Sequence, residues 1–257
     1  MNAGVGVRVA RDSQPASVPI WRELFAGVDW LGLRLSPVFY GFGVPRGDGA
    51  AVVLVPGFLG TDLYLRELHC WLERIGYQPY MSGIGRNADC LDLLVERLLT
   101  TIEAASAATG GRVHLVGHSL GGILARSAAT RRPDLIASVI VLGSPFRGIR
   151  SHPLVLAASE RVRALIASRR PTPDDRACFT GDCTCPTVSA WGKPFPSDVS
   201  QLAIYTRSDG IVDWQFCVNG DPENDAEVLG THVGLAFNPF VYRLIATRLA
   251  RVSATAA

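Results

Sequence analysis

Short, uninterrupted apolar runs alternate along the chain with longer segments whose apolar residues recur at helical spacing. Continuous runs of this length are typical of strands buried on both faces. The predicted strands cover residues 51–55, 77–81, 112–116, 138–142, 201–205 and 227–229. The predicted helices include residues 62–75, 89–108 and 240–251, and one that starts near Ile123. This alternation predicts an α/β fold with a mostly parallel sheet, covered by helices on both faces.

The N-terminal region divides into a polar stretch and an apolar helix. Residues 1–18 are mixed and polar, without the apolar stretch of a secretory signal, and are predicted to be disordered. From Trp21 to Leu35, apolar residues recur at helical spacing. Because this helix has no basic face, we expect it to pack on the core and not to anchor in a membrane. Residues 19–257 are then predicted to form a single domain.

One long segment interrupts the alternation of strands and helices. Residues 144–199 contain a helical stretch at 153–168 and a region at 171–198 that is rich in Pro, Gly, Cys and Asp. Long insertions within a compact domain are usually functional. This one leaves the carboxyl end of a predicted strand, where open α/β sheets bind ligands. We therefore predict a lid or cap insertion that precedes the 201–205 strand.

Composition narrows the possible functions. The chain has 257 residues, of which 48% are hydrophobic and 19% are charged, enough for one sizeable core. The net charge is +2 and the arginines are dispersed, which argues against nucleic acid as a partner. No apolar run approaches the roughly 20 residues of a transmembrane helix. A cytoplasmic protein is predicted, and the sequence does not indicate its oligomeric state.

Six cysteines are present. Cys70 and Cys90 occur within helical apolar patterns and are predicted to be small core residues. The other four leave three interpretations open: reduced structural thiols, which a cytoplasmic location favours, a disulfide, or a zinc site. These four cysteines are Cys178, Cys183, Cys185 and Cys217.

The segment Gly117-His-Ser-Leu-Gly121 follows a predicted strand and opens a predicted helix. A serine hydroxyl is a weak nucleophile, so it needs a sharp turn to expose it, a base beside it and amide donors that face the oxyanion. Gly117 and Gly121 lack the side chains that would block a tight strand-to-helix turn. In this strand–turn–helix context, the motif predicts Ser119 as the nucleophile of an acyl-transferring enzyme.

Four motifs together resemble the α/β-hydrolase superfamily, and within it the bacterial lipase- and esterase-like members. They are Pro56-Gly-Phe, Gly117-His-Ser-Leu-Gly-Gly, Ser208-Asp-Gly-Ile-Val212 and Thr231-His-Val-Gly. The resemblance extends from about residue 20 to about residue 250. It implies the α/β-hydrolase fold, with Ser119 as nucleophile, Asp209 as the orienting acid and His232 as base. Many relatives carry His-Gly where this chain has Pro56-Gly57; lipases often share the proline, which favours ester substrates.

The positions of the histidines and aspartates agree with these roles. Of the five histidines, only His232 lies between the last short strand and the last helix, where the base belongs in this chain order. His118 adjoins the serine, but neighbouring side chains on a sharp turn diverge, and His114 is predicted to pack in the core. Asp209 directly follows the 201–205 strand, and Asp213 is the alternative acid.

The oxyanion hole is predicted to use the backbone N–H groups of Leu120, which follows the nucleophile, and of Phe58, in the loop after the first long strand. The proposed substrate pocket is mostly apolar, which suits an acyl group or a hydrophobic alcohol. Its predicted members are Leu59, Phe146, Ile149, His152, Leu154, Val212, Trp214 and Val233.

These features predict a serine hydrolase that cleaves carboxylic esters through an acyl-enzyme on Ser119. Its substrate would be a small-molecule or lipid-like acyl compound, and neither a cofactor nor a metal is expected. Two alternatives stay open: an acyltransferase that uses the same triad, and a non-catalytic binding protein on a hydrolase fold.

Overall fold

The computed structural model describes residues 14–169, 185–187 and 194–256. In chain order, the strands are β1 (Gln14–Pro15), β2 (Ala51–Val55), β3 (Gln78–Met81), β4 (Val113–His118), β5 (Ile136–Leu142), β6 (Arg150–Ser151), β7 (Ser200–Tyr205) and β8 (Asp225–Glu227). The α-helices are α1 (Ala26–Leu35), α2 (Arg66–Ile75), α3 (Leu91–Thr109), α4 (Leu120–Arg131), α5 (Pro153–Ser168) and α6 (Pro239–Ala256).

The main sheet is parallel and has the strand order β3-β2-β4-β5-β7-β8. All five side chains of β2 are buried, which explains its unbroken apolar sequence. Because the strands are parallel, their carboxyl ends lie at one edge of the sheet. The loops that carry the predicted site residues therefore meet there.

Two hydrophobic cores lie on the two faces of this sheet. On one face, Trp71 of α2 packs on Tyr242 of α6, with ring centroids 4.6 Å apart. On the other face, Leu98 of α3 and Leu124 of α4 pack on the sheet. Helices thus cover both faces, and the predicted α/β-hydrolase architecture is confirmed.

The start of the described chain is ordered against the insertion, which corrects part of the predicted disorder. Gln14–Pro15 pairs in parallel with Arg150–Ser151, and the Ala16 N–H donates to the Ser151 carbonyl at 2.9 Å. The predicted disordered segment therefore does not extend to residue 18, and residues 1–13 lie outside the described residues.

The N-terminal helical region corrects a second expectation, because most of its apolar residues do not pack on the core. It consists of the 3-10 helix Ile20–Phe25 followed by α1. Of the residues in α1, Leu33 is fully buried, whereas six apolar side chains of the region are each more than half exposed. These six are Trp21, Leu24, Phe25, Val28, Leu31 and Leu35. The carboxylates of Glu23 and Asp29 instead make contacts with the body of the domain.

The insertion begins beside the loop that follows β7. The Ser151 Oγ and the His152 N–H both donate to the Ile211 carbonyl, at 2.7 and 2.8 Å. Further along, the Thr187 hydroxyl donates to Asp92 of α3 at 2.8 Å. Residues 170–184 and 188–193 lie outside the described residues, so the role of 144–199 as a lid stays a prediction. Among the helices that are described, none combines the length and apolar character needed to cross a membrane.

The cysteines differ from the expectation at two positions. Cys70 is an exposed free thiol and not a core residue, because it faces outward from α2. Cys90 is buried as expected, but it is disulfide-bonded. Cys217 is a buried free thiol and Cys185 is half-buried, while Cys178 and Cys183 lie outside the described residues. Within the described ranges, no group of three or more His, Cys, Asp or Glu side chains is arranged to hold a metal ion.

Candidate active site

Ser119 occupies a strained turn between β4 and α4. Its backbone φ is 52° and ψ is −122°, a conformation that L-residues adopt only when the surrounding structure enforces it. Hydrogen bonds hold the turn: the Ser119 N–H donates to the Leu142 carbonyl at 2.8 Å, and the Ser119 carbonyl accepts from Gly122 at 3.0 Å. The serine side chain is thereby held at the carboxyl edge of the sheet, at the start of a helix.

The turn depends on glycine at Gly121, where no side chain would fit. A Cβ atom at this position would lie 2.2 Å from the Val55 carbonyl oxygen and 2.5 Å from that of Pro56. Both obstacles are backbone atoms, which cannot rotate away. The absence of a Cβ therefore lets α4 start directly against the end of β2.

We expect Gly121→Ala to lower the free energy of unfolding by about 1–3 kcal/mol, because the methyl group forces α4 away from β2. Urea unfolding followed by circular dichroism measures the effect. Gly111→Ala is the matched control, since a Cβ there meets nothing within 4 Å. Equal unfolding midpoints for the two variants would contradict the role assigned to Gly121.

His232 and Asp209 form a buried pair. The His232 Nδ1 lies 2.7 Å from Asp209 Oδ2, and each residue is only 3% exposed. The other carboxylate oxygen accepts from the N–H groups of Ile211 and Val212 at 2.9 and 2.7 Å. Because the carboxylate can only accept, Nδ1 carries the proton, and the His232 Nε2 has a free lone pair.

Two contacts place the His232 imidazole beside the Ser119 turn. Gly143 follows Leu142, whose carbonyl accepts from the Ser119 N–H. A Cβ atom on Gly143 would lie 3.1 Å from His232 Nδ1, so the imidazole lies close to this backbone. The ring of His118, which precedes Ser119, has its centroid 4.9 Å from that of His232. The residues predicted as nucleophile, acid and base therefore belong to one cluster at the sheet edge.

Burial lowers the pKa of His232, but nearby carboxylates outweigh this effect and raise the pKa above its ordinary value. The Asp209 carboxylate raises it through its charge and its hydrogen bond, and the charge of Glu23 adds to this. An imidazole that is easily protonated is a strong proton acceptor, which suits a general base.

His118 contacts the loop that carries His232, the predicted base; we call this loop the base loop. Its Nε2 donates to the His232 carbonyl at 2.9 Å, because a carbonyl oxygen can only accept. Burial and, to a smaller extent, the charge of His232 lower the pKa of His118 to about 3, so this ring stays neutral. The Tyr64 hydroxyl similarly donates to the Val233 carbonyl at 2.8 Å.

The loop Pro56–Gly60 adjoins the nucleophile and is clamped by Asn87. The Asn87 side-chain amide donates to the Pro56 carbonyl at 2.7 Å, and its backbone carbonyl accepts from Leu59 at 2.8 Å. The Phe58 N–H has no hydrogen-bond acceptor within the described part of the chain. A Cβ on Gly57 would lie 3.2 Å from the Ser119 Cβ, so this loop faces the serine.

The predicted pocket residues occupy different surroundings. Val212 and Val233 belong to the loops that carry the acid and the base, and Leu59 lies beside Phe58. Ile149 is half-buried in the chain that leads to Ser151 and His152.

Three other predicted pocket residues contact other side chains or solvent. Phe146 contacts the Arg126 guanidinium, 4.1 Å from the ring centroid, and Leu154 is 66% exposed. Trp214 stacks on Tyr205, with ring centroids 5.5 Å apart. The assignment of these three residues to the pocket stays a prediction.

Asp213, the alternative acid, and His114 have other partners. Asp213 accepts from the Gln215 N–H at 3.1 Å and so caps a short 3-10 helix. His114 is buried as expected, with its Nδ1 2.7 Å from the Ser138 hydroxyl. Asp209 is the carboxylate that contacts His232 directly.

Sequence reasoning missed Glu23 and Asp29, which bind the base loop from the N-terminal region. Asp29 accepts from the Thr231 N–H and hydroxyl, each at 3.0 Å. Glu23 accepts from the His232 and Val233 N–H groups, at 3.0 and 2.9 Å. The available signal was that these carboxylates interrupt an otherwise apolar helical stretch.

Comparisons with known proteins agree with this fold. The chain is similar to triacylglycerol lipases of Burkholderia plantarii, at 28% identity over 67% of this chain, and of Vibrio cholerae serotype O1, at 30% identity over 66%. The matched region spans 55% of the length of each relative. The structure of a metagenome-derived lipolytic enzyme is 18% identical, covers 82% of this chain and 96% of its own, and has a TM-score of 0.56.

A sequence model of the alpha/beta hydrolase family matches residues 52–247. This range contains the Ser119 turn, Asp209 and His232, together with the six strands of the main sheet except the first residue of β2. The family resemblance inferred from the motifs is confirmed: the chain belongs to the alpha/beta hydrolase family.

Proposed function

We propose that this protein is a serine hydrolase that cleaves carboxylic esters through an acyl-enzyme on Ser119. The observation that carries the proposal is the buried His232–Asp209 pair, which lies beside a serine in a strained strand-to-helix turn. A nucleophile, a base and a group that orients the base are what acyl transfer by serine requires. The similarity to triacylglycerol lipases supports an ester or lipid-like substrate.

In the first half-reaction, the His232 Nε2 accepts the proton of the Ser119 hydroxyl as its oxygen attacks the acyl carbonyl. Asp209 keeps the proton on Nδ1 and stabilises the imidazolium that forms, without taking the proton itself. The N–H groups of Phe58 and Leu120 would bind the oxyanion. Support for this comes from the Phe58 N–H, which has no acceptor among the described residues, and from the place of Leu120 in the first helical turn, where an N–H has no intrahelical acceptor.

His232 then returns the proton to the leaving alcohol, which departs at the end of this half-reaction and leaves the acyl group on Ser119. In the second half-reaction, a water molecule attacks the acyl-enzyme while His232 accepts its proton. His232 returns that proton to the Ser119 oxygen as the bond to the acyl group breaks and the carboxylic acid is released. Leu59, Ile149, Val212 and Val233 are the predicted pocket residues whose positions best suit contact with an acyl chain.

The proposal predicts hydrolysis of p-nitrophenyl esters with a pH dependence set by His232. Protonated imidazole cannot act as a base, so kcat/KM should fall as pH decreases through the pKa of His232. Because that pKa is raised, the acid limb should lie above about 6.5, the ordinary value for histidine. The measurement uses a series of esters from acetyl to palmitoyl, which also defines the preferred chain length.

As a control, enzyme incubated at each pH is returned to pH 8 and assayed, which separates titration from inactivation. No hydrolysis of any ester in the series would refute the proposed function. An acid limb below pH 6 would contradict the assignment of His232 and its carboxylate neighbours.

A further inference from the structure

The carboxylate of Glu23 binds two loops at the same time. One is the loop that carries Asp209, called the acid loop here, and the other is the base loop, which carries His232. Glu23 Oε1 accepts from the Gly210 N–H at 2.9 Å and from the His232 N–H at 3.0 Å. Glu23 Oε2 accepts from the Val233 N–H at 2.9 Å. Gly210 directly follows Asp209, so one side chain contacts the backbone beside both members of the His–Asp pair.

Glu23 and the backbone of the acid loop are closely packed at Gly210. A Cβ atom on Gly210 would lie 2.9 Å from Glu23 Oε1 and 2.8 Å from the Pro19 carbonyl oxygen. The acid loop can therefore approach the N-terminal 3-10 helix only because residue 210 is a glycine. Hydrogen bonds from backbone N–H groups to a charged carboxylate are stronger than those between neutral groups. The Glu23 carboxylate therefore binds the acid loop strongly.

His232 is held from two opposite sides of its backbone. Its N–H donates to Glu23, while its carbonyl accepts from the His118 ring, which belongs to the turn that carries Ser119. Loss of the Glu23 contact would leave the His118 side intact but release the base loop from the acid loop. The distance between the His232 imidazole and the Asp209 carboxylate would then be less well fixed.

We propose that Glu23 is a positioning residue for catalysis: its carboxylate fixes the acid loop and the base loop relative to each other. This inference rests on the proposed function, since it assigns Asp209 and His232 as acid and base. Misplacement of a catalytic group by about 1 Å can lower a rate by about 100-fold, so a contact of this kind has a measurable effect on turnover.

The charge of Glu23 gives the proposal a second, separable consequence. The groups that face His232 are the carboxylates of Asp209 and Glu23, the neutral His118 ring and the Tyr64 hydroxyl that binds the next carbonyl. The negative charge of Glu23 contributes to the raised pKa of His232. Removal of that charge should therefore lower this pKa and move the acid limb of the pH profile to lower pH.

Glu23→Gln is the informative substitution, because it keeps the shape of the side chain but removes its charge. A glutamine has one acceptor oxygen, and its NH₂ group would face a backbone donor. We expect kcat to fall by about 10- to 100-fold, with KM changed less than about threefold, and the acid limb to shift to lower pH. Glu23→Asp retains the charge at shorter reach, so its acid limb should stay close to that of the wild type even though kcat falls.

Two comparison variants separate positioning from general destabilisation. Leu24→Gln alters the neighbouring residue, which is 86% exposed, and should match the wild type. Asp29→Asn weakens the contact with Thr231 but touches neither Gly210 nor His232, so it should leave the acid limb in place. Circular dichroism and thermal melting of every variant establish that each is folded.

The outcomes distinguish this inference from the proposed function. If Glu23→Gln lowers kcat but leaves the acid limb unmoved, as in Asp29→Asn, Glu23 only stabilises the fold and the proposal is overturned. If Glu23→Gln does not fold, a wild-type kcat in Glu23→Asp would overturn it. NMR titration of the His232 ring gives a readout without turnover: a lowered pKa in Glu23→Gln would support the coupling even if the wild type hydrolysed no ester.

Discussion

Replacing Ser119 with alanine is expected to lower kcat for p-nitrophenyl ester hydrolysis by about 10⁴- to 10⁶-fold, the range seen when a serine nucleophile is removed. In the proposed mechanism, the hydroxyl oxygen attacks the carbonyl and forms the acyl-enzyme, so its removal should stop this step. The rate that remains would come from the oxyanion donors and from substrate binding. KM should change little, because the side chain is small and half-buried.

Covalent labelling by a fluorophosphonate tests the same residue without a substrate. The wild type should be labelled at Ser119, and Ser119→Ala should not be labelled. Ser127→Ala is a matched control, since Ser127 lies in α4, which starts directly after Ser119, and its hydroxyl donates to the Ile123 carbonyl at 3.0 Å. Undiminished turnover or labelling in Ser119→Ala would disprove its assignment as nucleophile.

The second large effect is expected for Asp209→Asn, with a loss in kcat of about 10³- to 10⁴-fold. The amide oxygen can still accept from Ile211 and Val212, so the loop keeps its shape. The NH₂ group would then face His232 Nδ1 and donate to it, which moves the imidazole proton to Nε2. A base with its proton on Nε2 cannot accept the proton of Ser119, and the charge that stabilises the imidazolium is also lost.

Asp213→Asn is the matched control for this substitution, because its amide oxygen can still cap the same short helix. The two variants should differ by at least about 100-fold in kcat while their melting temperatures stay similar. The assignment of Asp209 would be wrong if Asp213→Asn lost as much activity as Asp209→Asn.

The central sheet and the three main site residues were accessible from the sequence for a physical reason. Parallel buried strands are continuous apolar runs, and the residues that follow them must meet at one edge of the sheet. Ser119, Asp209 and His232 each lie in a loop that follows such a strand, so their approximate proximity is predicted by topology. The ends of strands and helices were predicted less accurately. The last strand covers Asp225–Glu227, whereas the sequence pattern predicted residues 227–229.

The contacts of the N-terminal region were not accessible, because they depend on tertiary packing between distant parts of the chain. Glu23 and His232 are separated by 209 positions, and no local pattern links them. Helical periodicity predicts that an apolar stripe faces the core. Here the buried partners of the helix are backbone N–H groups, which require carboxylates and not apolar side chains. Most apolar side chains between Trp21 and Leu35 therefore lie at the surface and do not face the core.

The N-terminal contacts also bear on how the minimal catalytic unit of this protein should be defined. The family match begins at residue 52, after the whole N-terminal helical region. A truncated protein that starts there would keep the nucleophile, the acid and the base. It would nevertheless expose four backbone N–H groups, those of Gly210, Thr231, His232 and Val233, whose acceptors are Glu23 and Asp29. The family match thus covers Ser119, Asp209 and His232, while the contacts that hold the loops of Asp209 and His232 begin further upstream, at Glu23.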